Sequence, residues 1–109
     1  MTWDDVVALG LALEGVELST SYGTPALKRR GKLMVRLWED GQVVVLKGIG
    51  FDQREMLMAA DPAVFFVTPH YEAYDCVLAR LEAAEPDALR GLLDQIWMQL
   101  GPRRRGGGV

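Results

Sequence analysis

Lys28, Arg29, Arg30, Lys32 and Arg36 crowd into one short stretch, and cations at that density can neutralise the phosphates of a nucleic acid. No acidic residue lies between Glu17 and Glu39, so the positive charge is local in a chain whose formal charge is -3. The same run also reads as a solvated hairpin tip whose charges keep an exposed sheet edge from pairing with another sheet. His70 is the only histidine and Cys76 the only cysteine. An imidazole titrates near neutrality and can move a proton. No serine or cysteine nucleophile pairs with His70 by spacing, and one His with one Cys does not make a metal set. His70 therefore reads as a hydrogen-bonding residue at a strand end. Cys76 reads as a small buried hydrophobe, and Asp75 beside it would raise its thiol pKa rather than lower it.

Gly48-Ile-Gly50 lacks the third glycine and the lysine of a phosphate loop, and no paired carboxylates stand out for hydrolytic work. The sequence thus assigns no catalytic residue, no metal ligand and no cofactor, and the chain reads as non-enzymatic. A second candidate site is a cleft shared by Tyr22, Trp38, His70 and Tyr71. Trp38 alternates in phase with Arg36, which would put both on one sheet face.

The elements that must carry these residues follow from periodicity. Thr2 with Asp5 three residues on approximates a capping box, and an amphipathic helix is expected over residues 3 to 14. Tyr22-Gly-Thr-Pro25 breaks the chain. Ala26–Arg29, Lys32–Trp38 and Val43–Lys47 then read as a three-stranded meander turning at Arg30-Gly31 and at Asp40-Gly41. In the middle strand Leu33, Val35 and Leu37 alternate with Met34, Arg36 and Trp38. The first turn, Lys-Arg-Arg-Gly-Lys, would place its cations at a hairpin tip, where Gly31 takes positive φ at little cost.

Asp52-Gln-Arg-Glu55 reads as a second capping box, with Phe51 stapling onto Met56, and Pro62 stops that helix near Asp61. Val64–Thr68 and Cys76–Leu81 are apolar runs expected to be strands. Pro86 opens a last helix in which Leu89, Leu92, Leu93, Ile96, Trp97 and Leu100 share one face, closed by Gly101-Pro102. The order α-β-β-β-α-β-β-α predicts an α+β fold, a single two-layer domain with a mostly antiparallel sheet covered by helices on one face. That domain is expected to span residues 1–102, and residues 103–109 to form a disordered Arg/Gly tail.

Residues 1–102 hold nine Lys/Arg against all fifteen Asp/Glu, which lowers the expectation of a broad nucleic-acid-binding surface. No apolar run approaches a membrane span, the acidic start Met1-Thr-Trp-Asp-Asp lacks the basic region of a secretory signal, and the single cysteine suits a reducing compartment. A cytoplasmic location is expected.

Leu13-Glu-Gly-Val-Glu17, Ser21-Tyr-Gly-Thr-Pro25, Gly31-Lys32-Leu33 and Phe66-Val-Thr-Pro-His-Tyr71 together resemble the MmcQ/YjbR family, in that family's order and over Trp3 to Pro102. The resemblance implies a secretion-chaperone-like α-β3-α-β2-α fold. It also implies DNA binding through a double wing of hairpins. One wing would turn at Arg30-Gly31, with Lys28, Arg29, Arg30, Lys32 and Arg36 as its contacts. The second would be Thr68–Cys76, which here bears Glu72 and Asp75 where phosphate contact calls for base. Two further classes stay open: a module that binds a protein or peptide partner, as this fold does elsewhere, and a small-ligand sensor with its cleft near Tyr22, Trp38 and His70. A homodimer that buries the open sheet face would set two hairpins side by side.

Overall fold

The computed structural model describes residues 1–38 and 41–101, and the expected Arg/Gly tail and Asp40 lie outside them. Three helices and six strands run in the order α1 (Trp3–Leu11), β1 (Val16–Ser21), β2 (Thr24–Arg29), β3 (Lys32–Leu37), β4 (Val43–Lys47), α2 (Phe51–Ala60), β5 (Phe65–Phe66), β6 (Cys76–Arg80) and α3 (Pro86–Gln99). The strands form one sheet ordered β1-β2-β3-β4-β6-β5, with every neighbouring pair antiparallel. The α+β class and the antiparallel sheet expected from the sequence are both present.

The capping box of α1 forms as its residues predict. Thr2 Oγ1 accepts from the Asp5 amide at 3.3 Å, and Asp5 Oδ2 accepts from the Thr2 amide at 2.8 Å. The helix stops at Leu11, earlier than the expected residue 14, because the chain must turn at Gly15 (φ 81°) to enter a strand absent from the meander expected above. That strand, β1, is a sheet edge. Leu18 is 58% exposed and Glu17, Ser19 and Thr20 are polar, so it carries no apolar alternation to read.

Tyr22-Gly23, expected to be only a break, is the two-residue turn of the β1–β2 hairpin, with φ of 53° and 79°. Arg30-Gly31 does the same between β2 and β3, at 51° and 82°. Paired positive φ values match the right-handed twist of the flanking strands.

A bulge separates the two halves of the β2–β3 ladder. Leu27 faces Val35, but Lys28 faces Leu33, leaving Met34 without a partner. Met34 and Val35 therefore both enter the main core at 0% exposure. Strict alternation in β3 fails at that point: Leu33 joins Arg36 and Trp38 on the opposite face, where all three line one cleft.

The main core lies between the sheet and the helices. Leu27, Val35, Leu46 and Val77 form a row across four strands, met by Val6 of α1 and by Leu89, Leu92, Leu93 and Ile96 of α3. The 3.6-residue spacing of the α3 leucines puts them on one buried stripe, as its sequence predicts. Gly10 lets α1 approach the sheet, since a Cβ there would sit 2.3 Å from Leu27 Cδ1.

The second helix departs from its sequence signature. Its N-cap is Gly50 and no side chain caps it, so the expected Asp52–Glu55 box does not form. Ile49, fully buried, anchors the entry and sets the first turn ahead of Asp52. Phe51 (51% exposed) and Met56 (70%) make no staple; the Phe51 ring lies instead 4.9 Å from the Arg54 guanidinium. The helix does end before Pro62, with Asp61 as its C-cap in a non-helical conformation (φ -145°).

A smaller cluster, Val43, Val45, Cys76 and Leu78 with Trp38, Phe66 and Tyr71, occupies the sheet face away from the core. That face carries the candidate site.

Candidate ligand cleft

The cleft has a volume of about 590 Å³ and is built from five segments. The β1–β2 turn contributes Tyr22, and β3 contributes Leu33 and Arg36, with Trp38 just past its end. The floor comes from Val45 and Lys47 of β4 with Cys76 of β6. The far wall is the segment between β5 and β6, with Thr68, His70, Tyr71 and Tyr74. All four residues of the expected cleft, Tyr22, Trp38, His70 and Tyr71, line it.

Arg36 is the charged centre. It is 5% exposed, donates from Nη1 to Thr24 Oγ1 at 3.3 Å and to the Leu37 carbonyl at 3.5 Å, and donates from Nη2 to the Tyr71 hydroxyl. The Thr24 hydroxyl in turn donates to the Ser21 carbonyl at 3.0 Å, tying the group to the β1–β2 turn. The Tyr22 ring stands 5.4 Å from the Arg36 guanidinium carbon. Among the described residues the ion pairs are Lys47–Asp75 and Arg90–Asp87, so no described carboxylate neutralises Arg36.

The far wall is held from behind by a residue that sequence reasoning missed. Arg54 of α2, 6% exposed, donates from Nη1 to the carbonyls of Tyr74 (3.0 Å), Cys76 (3.2 Å) and Tyr71 (3.5 Å), and from Nη2 to that of Glu72 (3.0 Å). One guanidinium thus gathers four carbonyls of an irregular segment, adding to the turn bonds that the Tyr74 and Cys76 amides already make to the Tyr71 and Tyr74 carbonyls. No local signal marked it, because its partners lie 17 to 22 residues away. The wall it supports is aromatic: His70 meets Tyr71 edge-on at 4.8 Å, and Tyr71 meets Tyr74 at 6.5 Å.

At the rim Lys47 Nζ lies 2.7 Å from Asp75 Oδ1, and that hydrogen bond holds the Asp75 carboxyl below its ordinary pKa. Cys76, 2% exposed, has its thiol pushed up, first by burial, against the lowering influence of Arg54 and Lys47. It is a neutral wall atom. The Thr68 hydroxyl is buried with no hydrogen-bond partner among the described residues.

The five cations of the basic stretch do not form one surface. Arg30 and Lys32 are exposed at the tip and Lys28 is half-buried beside them. Arg29, expected at the tip with them, is 5% exposed. Its guanidinium lies 4.0 Å from the Trp97 ring centroid and donates to the Trp97 carbonyl in the last turn of α3. The physical reason is the ordinary alternation of β2, which sends Lys28 and Arg29 to opposite faces, and the unpaired carbonyls of a helix C-terminus that has no basic residue of its own. Arg36 is committed to the cleft. Of the segment expected as a second wing, Asp75 is paired to Lys47 and Glu72 is exposed.

Among the described residues no group of three His, Cys, Asp or Glu is placed to hold a metal ion, and no helix is long and apolar enough to cross a membrane. No family model matches the chain. It is 26% identical to an uncharacterized protein of Mycobacterium bovis and, at the same identity, to uncharacterized proteins of two Mycobacterium tuberculosis strains; the alignments cover 94% of this chain and 91% of each relative. The similarity therefore spans nearly the full length of each relative.

Proposed function

We propose that this is a non-enzymatic cytoplasmic domain that binds a small molecule in the aromatic cleft over β3, β4 and β6. The observation that carries this is Arg36: a guanidinium sunk in a cleft of about 590 Å³, with the Tyr22 ring over it, the Tyr71 hydroxyl bonded to it and no described acid beside it. Volume and lining fit the general form of ligand sites, apolar walls with a few convergent polar groups. Tyr22 supports the reading. An aromatic residue at φ 53° is unfavourable, and this one is 87% exposed, so neither backbone preference nor core packing explains its place.

The test is a thermal-shift screen of a fragment library, with hits titrated by tryptophan fluorescence. Hits that stabilise the wild type and lose affinity in Tyr22→Ala and Trp38→Phe support the cleft. Hits indifferent to both substitutions, or a library without hits, overturn it.

A second reading, weak DNA binding through the β2–β3 hairpin, is favoured by the exposed cations Arg30 and Lys32 with Lys28 beside them, and by the resemblance to the MmcQ/YjbR family. Each phosphate neutralised would contribute about 0.9 to the salt slope, so three contacts would give a shallow dependence. Unchanged affinity for duplex DNA after Lys28, Arg30 and Lys32 are all replaced by glutamate removes this reading.

A further inference from the structure

We infer that the cleft selects a planar monocarboxylate with an aromatic body. This rests on the small-molecule reading above and names the ligand's chemistry. A buried guanidinium is stable only where its charge is met by acceptors or by an opposite charge. Arg36 has three neutral acceptors, Thr24 Oγ1, the Leu37 carbonyl and the Tyr71 hydroxyl, and no described acid. An anion entering the cleft supplies the missing charge, and a carboxylate matches the planar fork of a guanidinium.

The number of charges follows from the second cation. Lys47 is bound to Asp75 at 2.7 Å, so among the described residues one positive charge, that of Arg36, faces the cleft without an ion-pair partner. A phosphate dianion would need a second. The shape follows from the walls. Tyr22, Trp38 and Tyr71 offer ring surfaces around Arg36, while Leu33, Val45 and the neutral Cys76 thiol are apolar. A ring with one carboxylate satisfies both halves of the site, its anion on Arg36 and its body against the aromatic and aliphatic walls. Tyr22, on a two-residue turn at the mouth, stacks over the bound ring.

Calorimetric titration of the full chain with benzoate, indole-3-carboxylate and 1-naphthoate, each beside its primary amide, and with inorganic phosphate, tests this. Each pair keeps its shape and loses the charge. The acids bind about tenfold or more tighter than the amides, as expected when a hydrogen bond to an ionised partner becomes a neutral one, and phosphate binds weakest. Arg36→Gln abolishes the acid–amide difference and Arg36→Lys reduces it. If neither variant folds, Tyr22→Ala, altered only at an exposed turn, must weaken acid and amide together. Equal affinity for acid and amide, or phosphate tighter than the acids, overturns the ligand class and leaves the cleft standing. Failure of every acid and amide, with fragment hits still dependent on Tyr22 and Trp38, likewise overturns only the class. Failure of these together with a fragment screen without hits overturns both.

Discussion

Arg29 lies over the indole of Trp97, 4.0 Å from ring centroid to guanidinium carbon, and donates to that residue's own carbonyl, so a strand residue closes the C-terminal end of α3. Its neighbour Arg30 is exposed in a tight turn. Two adjacent arginines thus do different work, and they separate by measurement. Arg29→Ala should cost about 2 kcal/mol in urea unfolding, from the lost cation–π contact and the orphaned helix carbonyl. Arg30→Ala should change stability by less than about 0.5 kcal/mol. Equal costs would contradict the placement of Arg29.

Arg54 anchors the far wall of the cleft through the carbonyls of Tyr71, Glu72, Tyr74 and Cys76. Arg54→Ala should destabilise the domain by about 3 kcal/mol, since its charge-assisted bonds to four carbonyls are lost together. Hydrogen exchange should locate the loss, with protection falling first in residues 71–76. A uniform fall across the sheet would mean that Arg54 supports the whole fold rather than this wall.

Tyr22 holds φ 53° in a turn where asparagine is more at ease. Tyr22→Asn should therefore raise stability by about 1 kcal/mol while weakening any ligand of the cleft. A stabilised variant with unaltered affinity would free Tyr22 from the site. A destabilised one would show that the ring contributes more to the fold than its exposure indicates.

Burial pushes the Cys76 thiol up, so the folded chain keeps its proton at a pH where the unfolded chain has lost it. The resulting stabilisation is complete below the unfolded thiol's pKa and is lost as pH rises through the folded value. Urea midpoints should fall more steeply for the wild type than for Cys76→Ala across that alkaline window. At neutral pH, alkylation by iodoacetamide should be slow in the native chain and fast in urea. Native-state alkylation at the unfolded rate would refute the buried, neutral thiol.

What the sequence disclosed and what it concealed divide along the range of the interactions. The stripe of Leu89, Leu92, Leu93 and Ile96 and the Thr2–Asp5 box depend on neighbours a few residues away, and both were legible. The four aromatic and imidazole residues of the cleft could be nominated by type and by the shared phase of Arg36 and Trp38. Strand β1 was illegible because an edge with no fully buried residue need carry no apolar pattern. Arg29 and Arg54 were illegible because their partners lie 68 and 17 to 22 residues away, and a cation's fate depends on which carbonyls the fold brings to it. In the basic stretch, charge alone could not distinguish the exposed Arg30 from the buried Arg29 and Arg36.

The bulge in β3 also bears on which lengths of this strand the fold accepts. Leu33 and Val35 already sit on opposite faces with Met34 between them, so excising Met34 leaves an ordinary alternating strand with every remaining side chain on its own side. The damage should be confined to the hole a core methionine leaves, about 2 to 5 kcal/mol, with Leu33, Arg36 and Trp38 still lining the cleft. A one-residue deletion in a central strand usually exchanges inside for outside. Here the chain carries one residue it can lose without that exchange, so homologues one residue shorter in β3 are compatible with the same cleft. Tryptophan fluorescence and unfolding of the Met34 deletion would show whether that allowance is real.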